Sequence, residues 1–344
     1  MRIAGPYLLY LGNVTEPLAA KTARGIAVWR PELALGQFRR GSAIDLGLPD
    51  VRIEDAADQG AQTLVLGVAN VGGVMDDATV ADVLAALGAG LHVASGLHER
   101  LGDHPEIRAA AERGGRHLFD VRKPPDGLPV GTGERRAGRR LLTVGTDCAV
   151  GKMYTTLAIE REMRGRGVQA DFRATGQTGI LIAGDGVPVD AVVADFISGA
   201  VERLSPARVD DAWDLIEGQG SLFHPAFAGV SLGLLHGAQP DALVLCHQSG
   251  RPHMRHVPGR PLPDLGECLE RNLEAARLTN LDVVAVGVAL NTSALPADEA
   301  RAACEQAEQQ LGLPCQDPIA DGVGRIVDHL LAEFPTPALG DDDA

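Results

Sequence analysis

Short apolar runs in the first 140 positions alternate with stretches of helical periodicity. The runs predict strands and the periodic stretches predict helices. The predicted strands are Tyr7–Leu11, Thr63–Val68, Leu91–Ala94 and His117–Val121, and the predicted helices are Ala78–Leu87 and Pro105–Arg113. Because strands separated by helices return in the same direction, this order predicts a parallel sheet.

The same alternation continues in the second half of the chain. The stretch Gly131–Arg140 is rich in Gly and Arg and poor in apolar residues, so we expect a boundary there, with domains at 1–135 and 136–335. The second half has predicted strands at Arg140–Gly145, Ala170–Ala174, Ala242–Cys246 and Val283–Ala289, and predicted helices at Gly151–Arg166, Val209–Ile216, Leu265–Leu278 and Ala297–Leu311. This pattern predicts an α/β fold with a doubly wound parallel sheet.

Composition narrows the classes of function. The net charge of −15 disfavours nucleic acid and anionic lipid as partners, and small molecules are expected instead. No apolar run reaches the roughly 20 residues that a membrane helix needs, and a signal sequence is not evident, so a cytoplasmic location is expected. The five cysteines share no zinc-ligand spacing, so neither a disulfide framework nor a structural metal site is predicted.

A glycine-rich loop with a lysine lies between a predicted strand and a predicted helix. Its glycines let backbone amides turn toward an anion, the helix N-terminus adds partial positive charge, and Lys152 adds a full charge. The sequence therefore predicts a phosphate-binding loop. The residues expected to bind the cofactor are Gly145, Thr146, Asp147, Cys148, Ala149, Val150, Gly151, Lys152, Met153 and Tyr154.

Two departures from the ordinary Walker pattern limit the chemistry of this loop. One extra residue separates the glycines, and Met153 stands where Ser or Thr would bind the magnesium ion of a nucleotide. Phosphate binding is still expected, whereas metal-dependent hydrolysis is not. Cys148 is either an activated nucleophile or, as we prefer, a small residue that fills the loop.

The loop Gly-Thr-Asp-x-x-x-Gly-Lys and the segment Glu217-Gly-Gln-Gly are similar to those of dethiobiotin synthetase. A wider set of motifs resembles a second family, once known only as a domain of unknown function, whose members are described as D-glutamate N-acetyltransferases of the DgcN type. These motifs are Leu11–Asn13, Lys21–Gly25, Gly145–Met153, Ala174–Gly179, Val189–Asp190, Asp195–Gly199, Glu217–Pro225 and Arg251–His253. The resemblance covers the chain from about Leu8 to Val327.

This resemblance implies a Rossmann-like N-terminal domain and a P-loop NTPase-like C-terminal domain. It also implies acetyl transfer from acetyl-CoA to the amine of an acidic D-amino acid, with D-glutamate as the expected substrate. Coenzyme A has a diphosphate and requires no magnesium, which suits a loop with Met153. Two alternatives remain open: an ATP- and Mg-dependent ligase or kinase that uses Asp147 or Glu217, and a non-catalytic nucleotide-binding protein.

The implied reaction needs a base that removes a proton from the substrate ammonium. Glu217 and Asp195 are the preferred candidates, and His224 is a further one. Asp190 and Asp195 flank a short apolar run, while Glu217 is expected to end a helix and to enter a glycine-rich loop with Ser221 and His224.

An acidic substrate also calls for cationic or hydrogen-bonding partners. The expected substrate-binding residues are Lys21, Arg173, Gln177, Asp190, Ser221 and Arg251. His247, His253 and His256 lie in a Pro- and Gly-rich stretch without a supporting carboxylate, so no metal site is predicted there. A homo-oligomer is expected by analogy with other P-loop folds.

Overall fold

Two parallel β-sheets, each in its own unit, organise the computed structural model, which describes residues 2–17, 19–68, 73–208 and 212–335. The first unit contains the residues up to Pro125 together with Gly176–Ala191, and the second contains Asp126–Thr175 and the residues from Val192 onward. The segment Gly176–Ala191 thus belongs with the N-terminal sheet, although it follows a strand of the second sheet in sequence.

The described part of the first unit has a five-stranded parallel sheet in the order β2-β1-β3-β4-β5. The strands are β1 (Tyr7–Gly12), β2 (Ala34–Arg39), β3 (Thr63–Leu66), β4 (His92–Ser95) and β5 (Leu118–Asp120). The helices are α1 (Lys21–Trp29), α2 (Ile53–Ala56), α3 (Asp77–Gly88), α4 (Pro105–Gly114) and α6 (Gln177–Ala183). Every residue of β1 is buried, as expected for a strand that is covered on both faces.

The second unit has a six-stranded parallel sheet among its described residues, in the order β11-β10-β9-β6-β8-β7. Its strands are β6 (Arg139–Gly145), β7 (Ala170–Arg173), β8 (Trp213–Ile216), β9 (Ala242–Gln248), β10 (Val284–Asn291) and β11 (Cys315–Gln316). Its helices are α5 (Lys152–Gly165), α7 (Ile197–Leu204), α8 (Ala228–Ala238), α9 (Leu265–Arg277), α10 (Ala297–Leu311) and α11 (Gly324–Glu333).

Strand β6 lies between β8 and β9, so the order of strands along the chain reverses beside it. In an open α/β sheet, the crevice beyond the carboxyl ends of the strands at such a reversal is the usual place for a ligand. The loop that follows β6 is the predicted phosphate loop. The topology therefore places this loop at the switch point of the sheet.

The predicted α/β architecture with parallel sheets is confirmed, but the helix predicted at Val209–Ile216 is wrong where the structure describes it. Trp213–Ile216 is strand β8, and residues 209–211 of the predicted helix lie outside the described residues. All four residues of β8 are buried, so the strand has no alternation of polar and apolar positions. A short run that is buried on both faces cannot be distinguished from a helix by its periodicity.

Candidate active site

The loop between β6 and α5 forms the sharp turn that a phosphate loop requires. A Cβ atom on Gly145 would lie 2.9 Å from Val150 Cγ2 and 3.0 Å from the carbonyl oxygen of Cys246, so a larger residue would not fit without movement. Gly151 has φ +107°, a conformation that favours glycine, and it caps the N-terminus of α5. Both glycines of the motif are therefore required by the backbone.

The backbone amides of residues 147–153 have no hydrogen-bond acceptor in the part of the chain that the structure describes. The first of these residues lie in the loop and the last two form the start of α5, a helix of 14 residues. Amides at a helix N-terminus point along the helix axis and carry its partial positive charge. Their arrangement provides a group of donors suited to an anion.

Lys152 is buried in this loop with only 6% of its surface exposed. Its Nζ donates to the carbonyl oxygens of Asp147, at 2.7 Å, and Gly220, at 2.8 Å. Burial lowers the pKa of this ammonium below its ordinary value. The partners are neutral carbonyls, so an anionic ligand at the loop would compensate the buried charge better than they do.

Asp147 and Arg251 fix the shape of the loop. Asp147 is fully buried, and its Oδ2 accepts from Arg251 Nη1 at 2.8 Å and from the amide of Arg255 at 2.7 Å. The Arg251 guanidinium also donates to the carbonyl oxygens of Cys148, at 2.7 Å, and Ala149, at 2.9 Å. Arg251 was predicted to bind substrate. In this structure its guanidinium is hydrogen bonded to the phosphate loop and stabilises the conformation of the loop. Sequence reasoning missed Arg255, whose backbone amide donates to Asp147.

The glycine-rich segment after β8 packs beside the loop. Ser221 Oγ donates to the carbonyl oxygen of Thr146 at 3.1 Å. His224 is buried, its Nε2 donates to the carbonyl oxygen of Arg255 at 2.9 Å, and its Nδ1 accepts from the amide of Ala226 at 3.2 Å. Both ring nitrogens of His224 are therefore engaged in hydrogen bonds that stabilise this segment.

Asp147, Cys148 and His224 approach one another, with one potential ligand atom of each within 4.8 Å of the others. Such a group could hold a metal ion only if His224 gave up one of its hydrogen bonds. Burial is the main influence on Cys148 and raises the pKa of its thiol, in spite of the nearby Lys152. The structure thus gives Cys148 the environment of a packed thiol more than that of an activated nucleophile.

Glu217 follows strand β8 directly, so the prediction that it ends a helix is wrong. Its side chain is buried, and Oε2 accepts from the amide of Thr175 at 3.0 Å, while its carbonyl oxygen accepts from Thr175 Oγ1 at 2.6 Å. The next residue, Gly218, lies against β6, and a Cβ atom there would be only 1.7 Å from the carbonyl oxygen of Thr143. Glu217 is thereby held at the carboxyl edge of the sheet, one strand away from the phosphate loop.

The other residues predicted in the second unit lie in different settings. Arg173 is the last residue of β7, and its Nε donates at 2.8 Å to Asp214, a carboxylate that is fully buried in the sheet. Arg173 therefore balances the charge of a buried carboxylate, that of Asp214. Asp195 lies in the short 3-10 turn Ala194–Phe196 and is exposed.

Three of the predicted substrate-binding residues belong to the first unit. Lys21 is the first residue of α1 and is half-buried. Gln177 begins α6, and its Oε1 accepts from Arg122, which also pairs with Asp190 at 3.2 Å. Arg122 thus connects two of the predicted residues, a role that its position in the sequence did not reveal.

A cavity of about 480 Å³ lies beside the phosphate loop, and sequence reasoning missed most of its lining. One wall is formed by the end of the loop and the first turn of α5. The opposite wall follows β10 and β11, and we call the space the β10–β11 cavity. Its lining includes Val150, Tyr154, Asn291, Leu295, Ala300 and Ile319. The available signal was the polar pair Asn291-Thr292, which closely follows the predicted strand Val283–Ala289, in the region where α/β folds gather ligands.

The fold and the loop define the class of this protein as a P-loop α/β protein with a second parallel-sheet unit. The chain belongs to the DUF1611 family, described as domains of unknown function. The family's P-loop domain matches residues 129–327, and its Rossmann-like N-terminal domain matches residues 38–124.

Similar proteins extend over nearly the whole chain. A D-glutamate N-acetyltransferase from a Pseudoalteromonas species is 48% identical over 331 residues, which cover 96% of this chain and 100% of that protein. A D-glutamate N-acetyltransferase from Tritonibacter scottomollicae is 50% identical over 331 residues, which cover 96% and 99% of the two chains. The crystal structure of a DUF1611 family protein from Anabaena variabilis ATCC 29413 superposes with a TM-score of 0.83 at 34% identity, covering 96% of this chain and 100% of that one.

These comparisons confirm the predicted family and the pairing of a Rossmann-like domain with a P-loop domain. In the described residues, no helix has both the length and the apolar character needed to span a membrane.

Proposed function

We propose that this protein transfers the acetyl group of acetyl-CoA to the amine of D-glutamate. The observation that carries the proposal is its identity of 48% and 50%, over 96% of the chain, to two proteins named D-glutamate N-acetyltransferase. Both relatives match over essentially their full length, so both units of this chain have counterparts in them. An acetyltransferase that uses the acetyl-CoA of the cell also suits the cytoplasmic location expected from the sequence.

The phosphate loop supports acetyl-CoA as the donor. The free amides of residues 147–153 and the buried Lys152 are suited to the diphosphate of coenzyme A. Binding there would use charge and backbone geometry alone. The loop would then anchor the cofactor without taking part in the chemistry of the acetyl group.

The hydroxyls near the loop favour coenzyme A over a magnesium nucleotide. Met153 occupies the position of the usual metal-binding hydroxyl. Thr155 Oγ1 donates to the carbonyl oxygen of Gly151 at 3.1 Å, and Thr156 Oγ1 donates to the carbonyl oxygen of Lys152 at 2.8 Å. Since both threonines bond backward within the first turns of α5, neither replaces the missing metal ligand.

The reaction forms one bond and breaks one bond at the acetyl carbonyl. The neutral amine of D-glutamate attacks the thioester carbon, a C–N bond forms, and the C–S bond breaks to release coenzyme A as its thiolate. The substrate nitrogen loses two protons in all: one passes to the base, which can deliver it to the leaving sulfur, and the other is released from the new amide nitrogen to solvent. Donors that face the developing oxyanion would lower the barrier further.

Among the three candidate bases we assign the proton transfer to Asp195. The pantetheine arm separates the diphosphate of coenzyme A from its thioester, so groups that contact the phosphate loop are remote from the reacting carbon. Glu217 and His224 are buried beside that loop and are hydrogen bonded there. Asp195 is exposed and can meet a substrate. In this proposal Glu217 and His224 position the loop.

The substrate carboxylates require cations that the loop does not use. Arg173 and Arg251 already pair with Asp214 and Asp147. Lys21, Gln177 and Asp190 remain predictions for the binding of the substrate. A homo-oligomer likewise remains a prediction.

An assay of thiol release tests the activity. Purified protein incubated with acetyl-CoA and D-glutamate is expected to release free coenzyme A and to form N-acetyl-D-glutamate, detected by mass spectrometry. L-Glutamate and D-aspartate serve as matched substrates for stereochemistry and chain length. ADP formation from ATP and magnesium, dependent on an organic acid and without any thiol release, would instead support a ligase or kinase.

Two isosteric variants, Asp195→Asn and Glu217→Gln, together with His224→Gln test the assignment of the base. Asp195→Asn is expected to lower kcat by at least about 100-fold with little change in the KM for acetyl-CoA, since general-base catalysis contributes about 10² to 10⁴. Glu217→Gln and His224→Gln are expected mainly to raise the KM for acetyl-CoA. A loss of kcat confined to Glu217→Gln would transfer the role of base to Glu217.

A further inference from the structure

The β10–β11 cavity opens directly from the end of the phosphate loop. Val150 and Gly151 belong to the loop, Tyr154 and Thr155 belong to the first turn of α5, and all four line the cavity. Asn291, the last residue of β10, lies opposite, and a Cβ atom on Gly151 would be 4.0 Å from its Cβ atom. A ligand whose diphosphate lay on the loop would therefore have this cavity within reach of its next group.

The walls of the cavity are mainly apolar. Val150, Leu295, Ala300, Pro318 and Ile319 supply aliphatic surface. Ile319 is a lining residue that is itself 68% exposed. The volume of about 480 Å³ lies within the range of small-molecule and cofactor sites, and apolar walls with few polar groups are typical of them. A flat heteroaromatic group matches this size and polarity.

Hydrogen bonds to Asp317 hold together the two segments that form one wall of the cavity. Its buried carboxylate accepts from the amide and the hydroxyl of Thr292, at 2.8 and 2.6 Å, and from the amides of Ile319, at 2.9 Å, and Ala320, at 3.1 Å. Burial acts to raise the pKa of this carboxyl, but these hydrogen bonds outweigh it and keep the pKa below its usual value. The two segments that form one wall of the cavity are thus tied together by a single charged group.

Asn291 supplies the polar edge that a purine would need. Its Oδ1 accepts from the amide of Ser293 at 3.1 Å and keeps a second lone pair, and its Nδ2 has no acceptor among the described residues. An asparagine amide pairs with adenine by accepting from N6 and donating to N7, whereas guanine presents acceptors at both of these positions. The lining therefore suits adenine better than guanine.

We infer that the β10–β11 cavity binds the adenine base of the cofactor whose diphosphate lies on the phosphate loop. The inference rests on the proposed function for the identity of that cofactor, coenzyme A. The described lining of the cavity contains no lysine or arginine, so the 3′-phosphate of coenzyme A would find no cation inside it. ADP, which lacks the 3′-phosphate and the pantetheine arm, should therefore retain the contacts made at this site.

A pair of substitutions on helix α10 tests the cavity. Ala300→Phe places a ring in the cavity, and Ala302→Phe adds the same ring at an exposed position of the same helix that does not line it. Affinities for coenzyme A, ADP, GDP and 4′-phosphopantetheine are measured by calorimetry. We expect wild-type protein to bind ADP more tightly than GDP, and Ala300→Phe to weaken coenzyme A and ADP by about tenfold or more. Ala302→Phe should leave both affinities within about twofold.

Affinity for 4′-phosphopantetheine should be the same in all three proteins. If Ala300→Phe does not fold, Ile319→Ala replaces it, because this exposed residue contributes wall but no buried core, and ADP should again be weakened. Wild-type protein that fails to bind ADP, or an Ala300→Phe variant that binds ADP normally, would overturn the inference. So would a loss confined to 4′-phosphopantetheine, which would place the arm in the cavity.

The assay of thiol release separates the two proposals. If Ala300→Phe weakens the binding of ADP but wild-type protein does not acetylate D-glutamate, the inferred adenine site stands and the proposed function fails. If wild-type protein acetylates D-glutamate and Ala300→Phe leaves the KM for acetyl-CoA unchanged, the proposed function stands and the inferred adenine site fails.

Discussion

In each unit a junction joins the first strand of the parallel sheet to the following helix. The two junctions differ in the hydrogen bonding of the amides at the helix N-terminus. At the β1–α1 junction the amide of Ala23, in the first turn of α1, donates to the carbonyl oxygen of Gly67 at 3.1 Å. At the β6–α5 junction the amides of residues 147–153 have no acceptor among the described residues. One amide at the first helix end is thus satisfied by a neighbouring segment of the protein, whereas the amides at the second are available to a ligand.

The closure at α1 depends on a close approach of two backbones. A Cβ atom on Gly67 would lie 2.4 Å from Ala23 Cβ, so this glycine allows a neighbouring segment to reach the helix end. At α5 the glycines serve instead to turn the loop and to start the helix, as the positive φ of Gly151 indicates. The comparison teaches that parallel α/β topology supplies a helix N-terminus in both units, and that the adjoining segment decides whether it becomes a site.

The largest effect that tests this comparison is expected from the lysines that begin the two helices. Lys152→Ala should weaken coenzyme A by about 100-fold or more, because the buried positive charge of the phosphate loop is lost. Lys21→Ala, at the first residue of α1, should leave the affinity for coenzyme A within about twofold. Calorimetric titration of both variants provides the measurement. Equal losses in the two variants would break the distinction between the junctions.

A smaller effect is expected from the glycine that closes α1. Gly67→Ala should destabilise the protein by about 1–3 kcal/mol, because a methyl group must be inserted into a packed contact. Its affinity for coenzyme A should not change in the fraction that is folded. Urea unfolding gives the stability, and Gly88→Ala is the matched control, since Gly88 lies in helix α3 and a Cβ atom added there would meet open space. A destabilisation of equal size in both variants would argue against the close approach at Gly67.

The phosphate loop could be predicted from the sequence because its signal is local. Two glycines, a lysine, a strand before them and a helix after them lie within a short segment. The parallel order of the sheets was likewise readable from the alternation of strands and helices. Strand β8 was not, since Trp213–Ile216 is buried on both faces and lacks the pattern that separates strand from helix.

The supports of the site could not be predicted, because they are contacts between distant parts of the chain. Arg251 reaches Asp147 across 104 positions, and Asp317 reaches Thr292 across 25. The sequence analysis predicted that Arg251 binds the substrate. A guanidinium in a Gly- and Pro-rich stretch is equally suited to a substrate carboxylate and to a carboxylate of the protein. Only the fold reveals which carboxylate it meets.

The pH dependence of binding gives the last and smallest effect. Burial lowers the pKa of Lys152 below its ordinary value of 10.5, so its charge is lost at a lower pH than that of an exposed lysine. Affinity for coenzyme A should therefore fall as the pH rises through the lowered pKa. Between that pKa and 10.5 the unfolded chain binds more protons than the folded chain, so the contribution of Lys152 to stability should rise with pH while binding weakens.

Lys152→Arg separates this charge from other groups that titrate in the same range. Arginine stays protonated throughout, so the variant should bind coenzyme A with a nearly flat profile between about pH 7 and pH 10, whatever its absolute affinity. Titrations and thermal unfolding at several pH values give both quantities. If wild-type protein and the variant lose affinity in parallel, another group controls the profile, and the open junction would not owe its anion affinity to the ammonium of Lys152.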